Sequence, residues 1–286
     1  MSAPKANIPP IDEADVANRS AFDQQFRGID KPVVFRGAAS DWPAVQNWSL
    51  QTLRDRVGHQ EIDLEVGELF SRTDVDAKGN LGSGERLRLT IADYVSAIEK
   101  AEATQTPLPL YMTEWRIFEA DPDLETEMSG RCSDLFDRPF HAPMKCYVGT
   151  AGAFTPLHYD YAPNLTVQIF GHKTWTFHLP KSRDDILAYP AWSPMAHFSE
   201  INDKARTEIF EEHRDPDRFT SYRLTAGPGD IVYVPEYWWH YVNTLDTSLS
   251  LHFFWKPLPL ILRQFPKMAY FKLRNVSFGS SIAAKT

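Results

Sequence analysis

The sequence contains few cysteines and no cysteine motif. Only Cys132 and Cys146 occur among its 286 residues, and their spacing does not form a Cys-x-x-Cys pair. A disulfide framework and a cysteine-based zinc site are therefore not expected. This cysteine usage fits a reducing compartment, so we predict that the protein is cytoplasmic.

The sequence also lacks an excess of basic residues, and it has no long apolar run. The chain has 30 Lys and Arg against 38 Asp and Glu, which gives a formal net charge of −8. This balance argues against the broad phosphate-binding surface of a nucleic-acid-binding protein. No apolar run approaches the ~20 residues of a membrane span, and the first residues lack the apolar segment of a signal peptide.

The composition instead indicates a large folded domain. Hydrophobic residues make up 43% of the chain and aromatic residues 13%, which is enough for one sizeable core. Up to about residue 138, short helices and strands alternate. We predict a helix over 17–26, a strand over 32–35, a helix over 50–57 capped by Ser49, a strand over 61–66, a loop or hairpin over 71–86, a helix after Thr90 and a strand over 108–112.

From Met144 onward the pattern changes to short apolar strands separated by turn residues. They are predicted at 145–148, 165–169, 174–177, 220–224, 231–234, 241–244 and 249–255, with a type II turn at Pro228-Gly229. Such a series is typical of an antiparallel sandwich or barrel of jelly-roll type. A charged insert over 181–216 could form a lid or an entrance wall, and 257–276 reads as helices broken near Pro266.

The sequence Thr155-Pro-Leu-His-Tyr-Asp160 contains a His-x-Asp pair. In an extended strand alternate side chains share one face, so His158 and Asp160 are predicted to point to the same side. The best third ligand is His240, which closes the run Pro235-Glu-Tyr-Trp-Trp-His240. Two imidazoles and one carboxylate on one face of a metal suit non-haem Fe(II) better than structural zinc.

These motifs resemble a known family. Thr155-Pro-Leu-His-Tyr-Asp160, Asn164, Gln168-Ile-Phe-Gly-His-Lys173 and Trp-Trp-His240 are similar to the JmjC or cupin-like Fe(II)- and 2-oxoglutarate-dependent oxygenases. Within that family they most resemble the branch of the asparaginyl hydroxylase that acts on hypoxia-inducible factor. The early Pro32-Val-Val-Phe-Arg-Gly and Asp41-Trp-Pro-Ala are also typical of that branch.

The resemblance implies roles for individual residues. It implies iron ligation by His158, Asp160 and His240. Lys173 would pair with the distal carboxylate of 2-oxoglutarate, Thr155 and Tyr111 would hydrogen-bond the same carboxylate, and Asn164 would lie near the chelating end. His252 stands where that branch has an asparagine and would hydrogen-bond the co-substrate or hold a structural position. The other histidines His172, His178 and His197 are interpreted as surface or loop residues, and Trp238 and Trp239 as core and pocket wall.

The fold implied is mainly β with helical additions: a double-stranded β-helix core over about 142–256 within a catalytic domain of 1–256, an α/β amino-terminal region and a helical extension over 257–286. The activity implied is dioxygen-dependent hydroxylation of a protein side chain or a small molecule, coupled to oxidative decarboxylation of 2-oxoglutarate to succinate and CO2. Demethylation uses the same chemistry and stays open, as does a non-catalytic cupin-like module that binds a peptide or small molecule. The resemblance also implies a possible homodimer through 257–276.

Overall fold

The structure, a computed structural model, describes residues 31–67, 86–128, 144–191, 193, 195–254 and 266. In this part of the chain the strands are β1 (Val33–Phe35), β2 (Glu61–Val66), β3 (Arg86–Thr90), β4 (Leu110–Trp115), β5 (Lys145–Gly149), β6 (Phe154–Tyr159), β7 (Asn164–Phe170), β8 (Lys173–Pro180), β9 (Phe219–Ala226), β10 (Ile231–Val234), β11 (Trp239–Thr244) and β12 (Ser248–Phe254). The helices are α1 (Pro43–Asn47), α2 (Leu50–Val57), α3 (Ile91–Thr104), α4 (Ile117–Ala120), α5 (Asp123–Thr126) and α6 (Lys204–His213).

Two antiparallel sheets form the core of the fold. The larger sheet has the order β1-β10-β7-β12-β5-β4-β2-β3, and the smaller has the order β6-β11-β8-β9. Strands β5 to β12 therefore distribute between two facing sheets, which confirms the predicted jelly-roll core. The predicted strand positions agree with the structure to within a few residues. The predicted helices over 17–26 and 257–276, most of the 71–86 loop and the dimer segment lie outside the described residues.

Local sequence signals account for several of these elements. Ser49 accepts a hydrogen bond from the backbone N–H of Thr52, whose hydroxyl in turn accepts from the N–H of Ser49, so α2 begins with a capping box. Between β9 and β10, the N–H of Asp230 donates to the carbonyl of Gly227 at 3.0 Å. Gly229 has a φ of +85°, as the third position of a type II turn requires.

Alternating side chains place apolar residues on both faces of the sheets. Between the sheets lies an apolar cluster consisting of Val34, Trp175, Phe177, Leu224, Ala226, Val232, Val234, Trp238 and Val242. The other face of the larger sheet packs against the helices through a second cluster that includes Trp42, Leu53 and Tyr94. Trp238 and Trp239 are both buried, as predicted. No described helix is long and apolar enough to cross a membrane.

The charged insert covers the outer face of the smaller sheet. Ile186, Ile201 and Phe210 of the insert pack with Leu157 of β6 and Tyr241 of β11. This packing buries a face that the sequence pattern alone would leave to solvent. The insert is therefore part of the folded body wherever the structure describes it.

The prediction that His178 is a surface or loop residue is wrong. His178 lies on β8 with 0% of its side chain exposed, because α6 covers it. Its Nε2–H donates to Glu211 at 2.7 Å, and its Nδ1 lies 2.8 Å from the hydroxyl of Ser221. Burial lowers the pKa of His178. Although burial alone would raise the pKa of Glu211, the hydrogen bonds from His178 and Arg214 lower it.

The buried His178 predicts an acid-sensitive stability. Because its pKa is lowered on folding, the unfolded chain takes up a proton near pH 6.5 that the folded chain does not. The free energy of unfolding should therefore fall as the pH drops below about 6.5, by roughly 1.4 kcal/mol per pH unit for this group. Urea unfolding of the metal-free protein between pH 7.5 and 5.5 measures the slope. His178→Gln should make it shallower, and the exposed His59→Gln should not; an equal slope in all three proteins would contradict the assignment.

Candidate metal centre

Two neighbouring strands and the turn after one of them bring the three predicted metal ligands together. His158 on β6 lies directly opposite His240 on β11, with ring centroids 4.3 Å apart. Asp160 follows the last residue of β6 instead of lying within the strand, and its Oδ2 lies 3.9 Å from His240 Nε2. One ligand atom from each of the three residues lies within 4.8 Å of the other two. This grouping of two imidazoles and a carboxylate suits a six-coordinate non-haem Fe(II) with open positions.

Backbone carbonyls fix the orientation of both imidazoles. His158 Nδ1–H donates to the carbonyl of Pro156 at 2.7 Å, and His240 Nδ1–H donates to the carbonyl of Trp238 at 3.0 Å. A carbonyl oxygen can only accept, so Nδ1 carries the proton and each Nε2 keeps its lone pair for a metal.

The pKa shifts of His240 and Asp160 also favour a bound metal cation. Burial, followed by the neighbouring His158, holds the pKa of His240 well below its usual range, so the ring is neutral and able to ligate. Burial raises the pKa of Asp160 despite the opposing effects of His158 and Lys145. The Asp160 side chain is only 22% exposed, and a carboxylate so largely removed from water is costly without a compensating charge, which a divalent ion at this position would supply.

A β-bulge explains how Thr155 shares the face of the metal ligands. Thr155 and His158 are three residues apart, so strict alternation would place them on opposite faces of β6. The register against β11 shifts between His240 and Val242, and Thr155 pairs with Val242 while His158 pairs with His240. One extra residue in β6 thus restores Thr155 to the inner face.

Lys173 is the most deeply buried cation of the described chain. It is 1% exposed and lies at the start of β8. Its Nζ donates to the hydroxyl of Tyr111 at 3.2 Å and to that of Ser250 at 3.0 Å. The rings of Tyr111 and Tyr147 lie 5.4 and 5.9 Å from the same nitrogen. In the described part of the chain no carboxylate lies within ion-pair distance of Lys173.

These surroundings fit a bound dicarboxylate such as 2-oxoglutarate. A buried ammonium with only neutral partners is costly, and a carboxylate of the co-substrate would supply the missing charge and further acceptors. Trp175 lies on the same face of β8, near His240 and His252, and its indole N–H has no partner among the described residues. The site therefore offers a cation and an additional donor that the fold itself does not satisfy.

The remaining predicted residues lie between Lys173 and the metal ligands. Asn164 donates its side-chain N–H to Asp160 Oδ2 at 2.7 Å, so it contacts a predicted metal ligand directly. His252 is 9% exposed and bonds Thr166 and Ser250 at 3.1 Å each. Tyr111, Lys173, Asn164 and His252 thus belong to one buried group, whereas Thr155 lies on the inner face and its side chain makes no hydrogen bond to these described residues.

Sequence reasoning missed several residues of the site. Ser250 and Thr166 each lie two positions from a predicted residue on the same strand, so the two-residue period could have found them. Phe198 of the insert stacks on the His158 ring with centroids 5.6 Å apart, which no local motif signals. Lys145 and Glu114 form an ion pair that acts electrostatically on Asp160. Glu114 has a φ of +55° and lies at a register shift in β4, a combination that a strand pattern cannot reveal.

The close approach of Gly149 to Tyr111 gives a test of the co-substrate pocket. A Cβ at Gly149 would lie 2.8 and 2.9 Å from two ring carbons of Tyr111. Gly149→Ala should therefore displace the ring and weaken 2-oxoglutarate binding by about tenfold, on the scale of one charge-assisted hydrogen bond. Calorimetry with Mn(II)-loaded protein measures the affinity. Tyr111→Phe, which keeps the ring and removes only the hydroxyl, is the comparison, and unchanged affinity in both variants would remove Tyr111 from the pocket.

Comparisons with known proteins identify relatives of this chain. The chain is 26% identical to Jumonji C domain-containing protein 5 of Drosophila melanogaster over 86% of this chain and 60% of the relative. It is 23% identical to lysine-specific demethylase 8 of Xenopus tropicalis over 82% of this chain and 50% of the relative. It is also 26% identical to the human bifunctional peptidase and (3S)-lysyl hydroxylase JMJD7, over 85% of this chain and 81% of that protein.

The chain spans only half to three fifths of the length of the first two relatives. The narrower resemblance to the asparaginyl hydroxylase branch stays a prediction. A family described as the cupin-like domain matches residues 19–260, which cover most of the sequence. Together with the two facing sheets and the converging His158, Asp160 and His240, this match shows that the chain belongs to the cupin-like family that includes the JmjC proteins.

Proposed function

We propose that this protein is an Fe(II)- and 2-oxoglutarate-dependent dioxygenase. The observation that carries the proposal is the combination of a His-Asp-His group with a buried, carboxylate-free Lys173 on the same inner face of the fold. Neither feature would be sufficient alone, since metal-binding groups serve many purposes and a buried lysine can be structural. Together they supply one site for a metal and one for the anionic co-substrate.

The residues of the chain have separate tasks in this proposal. His158, Asp160 and His240 would hold the iron on one face. Lys173, Tyr111 and Thr155 would anchor the distal carboxylate of 2-oxoglutarate. When bound, the metal and co-substrate would activate dioxygen, with oxidative decarboxylation of 2-oxoglutarate to succinate and CO2 and transfer of one oxygen atom to the substrate.

The protein would contribute position and exclusion of water. Trp175 and Phe177 flank the ring of His240 with centroids 5.6 Å away, and both are buried. Phe198 covers one side of the His158 ring. These walls shield the two imidazoles from bulk water on the core side, so the residues would help to exclude solvent from the bound co-substrate and substrate.

Anaerobic titration with Fe(II) and 2-oxoglutarate tests the proposal. The expected result is a weak visible charge-transfer band that requires both additions, together with a measurable heat of 2-oxoglutarate binding to the metal-loaded protein. No band and no heat would reject the oxygenase function. Binding of a peptide or small molecule under those conditions would then favour the alternative of a non-catalytic cupin-like module.

For the substrate we propose a protein side chain. The support is the names of the relatives, which include a lysyl hydroxylase and lysine-specific demethylases. Succinate formation should increase when lysine-containing peptides, unmodified and N-methylated, are added with iron and 2-oxoglutarate. Mass spectrometry of the peptide separates the reactions, because hydroxylation adds one oxygen atom and demethylation removes one methylene. Stimulation by small metabolites but by no peptide would contradict this choice.

A further inference from the structure

A continuous line of hydrogen bonds connects the buried ammonium of Lys173 with the carboxylate of Asp160. Its successive members, with their separations, are Lys173 Nζ to Ser250 Oγ at 3.0 Å, Ser250 Oγ to His252 Nε2 at 3.1 Å, His252 Nδ1 to Thr166 Oγ1 at 3.1 Å, Thr166 Oγ1 to Asn164 Oδ1 at 3.2 Å, and Asn164 Nδ2 to Asp160 Oδ2 at 2.7 Å. We call this line the buried relay. It crosses β8, β12 and β7, so residues far apart in the sequence meet in one path.

The carboxylate end of the buried relay fixes the direction of its hydrogen bonds. An ionised Asp160 can only accept, so Asn164 presents its N–H to it and its Oδ1 to Thr166. The hydroxyl of Thr166 then uses its single proton on that Oδ1. Thr166 has no second proton for the imidazole, so it must accept a hydrogen bond from His252 Nδ1–H.

The ammonium end leads to the same direction. Lys173 can only donate, so the oxygen of Ser250 accepts from it. The hydroxyl proton of Ser250 remains for His252 Nε2, which accepts it if the ring is neutral. All five bonds therefore point from the cation toward the anion, an arrangement in which each bond polarises the next.

The surroundings keep every member of the buried relay except Asp160 away from water; the Asp160 side chain is 22% exposed. Lys173, Asn164, Thr166 and Ser250 are each 0–1% exposed, and His252 is 9% exposed beneath the Tyr147 ring, with centroids 4.2 Å apart. Burial, and next the charge of Lys173, holds the pKa of His252 well below its usual range. The charged or titratable groups around His252 are Lys173, Lys145, His240, His158 and Tyr147, and none of them is a carboxylate that could stabilise a second ring proton.

We infer that His252 is a positioning residue whose neutral ring, protonated at Nδ1, couples the co-substrate anchor Lys173 to the metal ligand Asp160. The inference deepens the proposed function, because it takes the roles of these two residues from it. It also assigns a task to the imidazole that stands where the asparaginyl hydroxylase branch has asparagine. A substitution beside Lys173 should therefore weaken metal binding at Asp160, even in the absence of co-substrate.

The ring tautomer can be measured without metal or co-substrate. In the metal-free 286-residue chain labelled with 15N-histidine, the long-range imidazole NMR pattern of His252 should be that of the Nδ1–H form at neutral pH. His252→Gln identifies the signal by its loss. Thr166→Val, which keeps the shape and removes the accepting oxygen, should shift the pattern toward a mixture of tautomers. An Nε2–H or doubly protonated ring in the wild type would overturn the inference.

The coupling can be measured with Mn(II) alone. Ser250→Ala removes the hydroxyl beside Lys173, and we expect it to weaken Mn(II) binding by about threefold although Ser250 touches no metal ligand; that is the size of one neutral hydrogen bond. Ser248→Ala is the matched control, because Ser248 is buried on the same strand and its hydroxyl has no partner among the described residues.

The binding measurements distinguish failure of the inferred coupling from failure of the proposed function. If Ser250→Ala binds Mn(II) as tightly as Ser248→Ala and the wild type, the coupling is absent and the inference fails while the proposed function stands. Should the wild type bind neither Mn(II) nor 2-oxoglutarate, the proposed function fails. The assigned coupling fails with it, and the NMR pattern then decides only the tautomer.

Discussion

Asp160→Asn should weaken Fe(II) or Mn(II) binding by more than about a hundredfold and abolish turnover. Loss of an outer-shell partner alone costs roughly 10–100-fold in metal affinity, and this change removes a ligand itself. The side chain keeps its size, and its Oδ1 can still accept from Asn164. Burial raises the pKa of Asp160, so its ionised carboxylate destabilises the metal-free fold at pH 7. The free energy of unfolding of the variant should therefore be no lower than that of the wild type.

Two measurements check this result. Calorimetry with Mn(II) gives the affinity, and thermal unfolding with and without Mn(II) shows whether bound metal stabilises the fold, as it must if it binds only the native state. Asp63→Asn is the control, since Asp63 is a surface carboxylate on β2 paired with Arg88. A variant at Asp160 that still gains stability from Mn(II) as the wild type does would exclude Asp160 as a ligand.

Lys173→Met should weaken 2-oxoglutarate binding by about 10²–10⁴-fold. Removing one partner of a buried charge pair typically costs about 3–5 kcal/mol, because the other charge is left without compensation. Methionine fills a similar volume without a charge. In the absence of co-substrate the native ammonium has only hydroxyl and ring partners among the described residues, so the metal-free variant should be more stable than the wild type.

Lys173→Met therefore separates anchoring from folding. Calorimetry of Mn(II)-loaded protein gives the 2-oxoglutarate affinity, and urea unfolding of the metal-free protein gives the stability. Lys100→Met on the exposed side of α3 serves as the matched control. Loss of stability together with unchanged 2-oxoglutarate affinity would show that Lys173 is a structural residue.

Much of the site could be predicted because its residues lie in short local motifs. Only short strands and turns separate the His-x-Asp pair, Asn164 and Lys173 in the sequence. The pairing of a few strands is therefore enough to bring these residues together. His240 could be placed on a late strand because jelly-roll strands return to the same sheet. The strand bounds were predicted nearly as well, since turn residues separate the apolar segments from Met144 onward.

The rest could not be predicted because it depends on tertiary contacts. His178 carries no local sign of burial; only the packing of α6 onto the outer face of β8 removes it from water. The position of Phe198 depends on the path of the insert. The role of Ser250 on β12 depends on its contact with Lys173 of β8, which belongs to the facing sheet. Asp160 was expected within a strand, but β6 ends at Tyr159 and the carboxylate reaches the site from the turn.

The extra residue in β6 has a consequence for how such a site can be lost. The bulge lies between the part of the strand that carries Thr155 and the part that carries His158. If β6 paired regularly with β11 at its present length, Thr155 would lie three positions from His158 and its hydroxyl would turn outward, while His158 would stay opposite His240. A substitution that abolished the bulge without changing the length of β6 would thus leave the metal ligands in place and remove only the Thr155 hydroxyl from the co-substrate pocket.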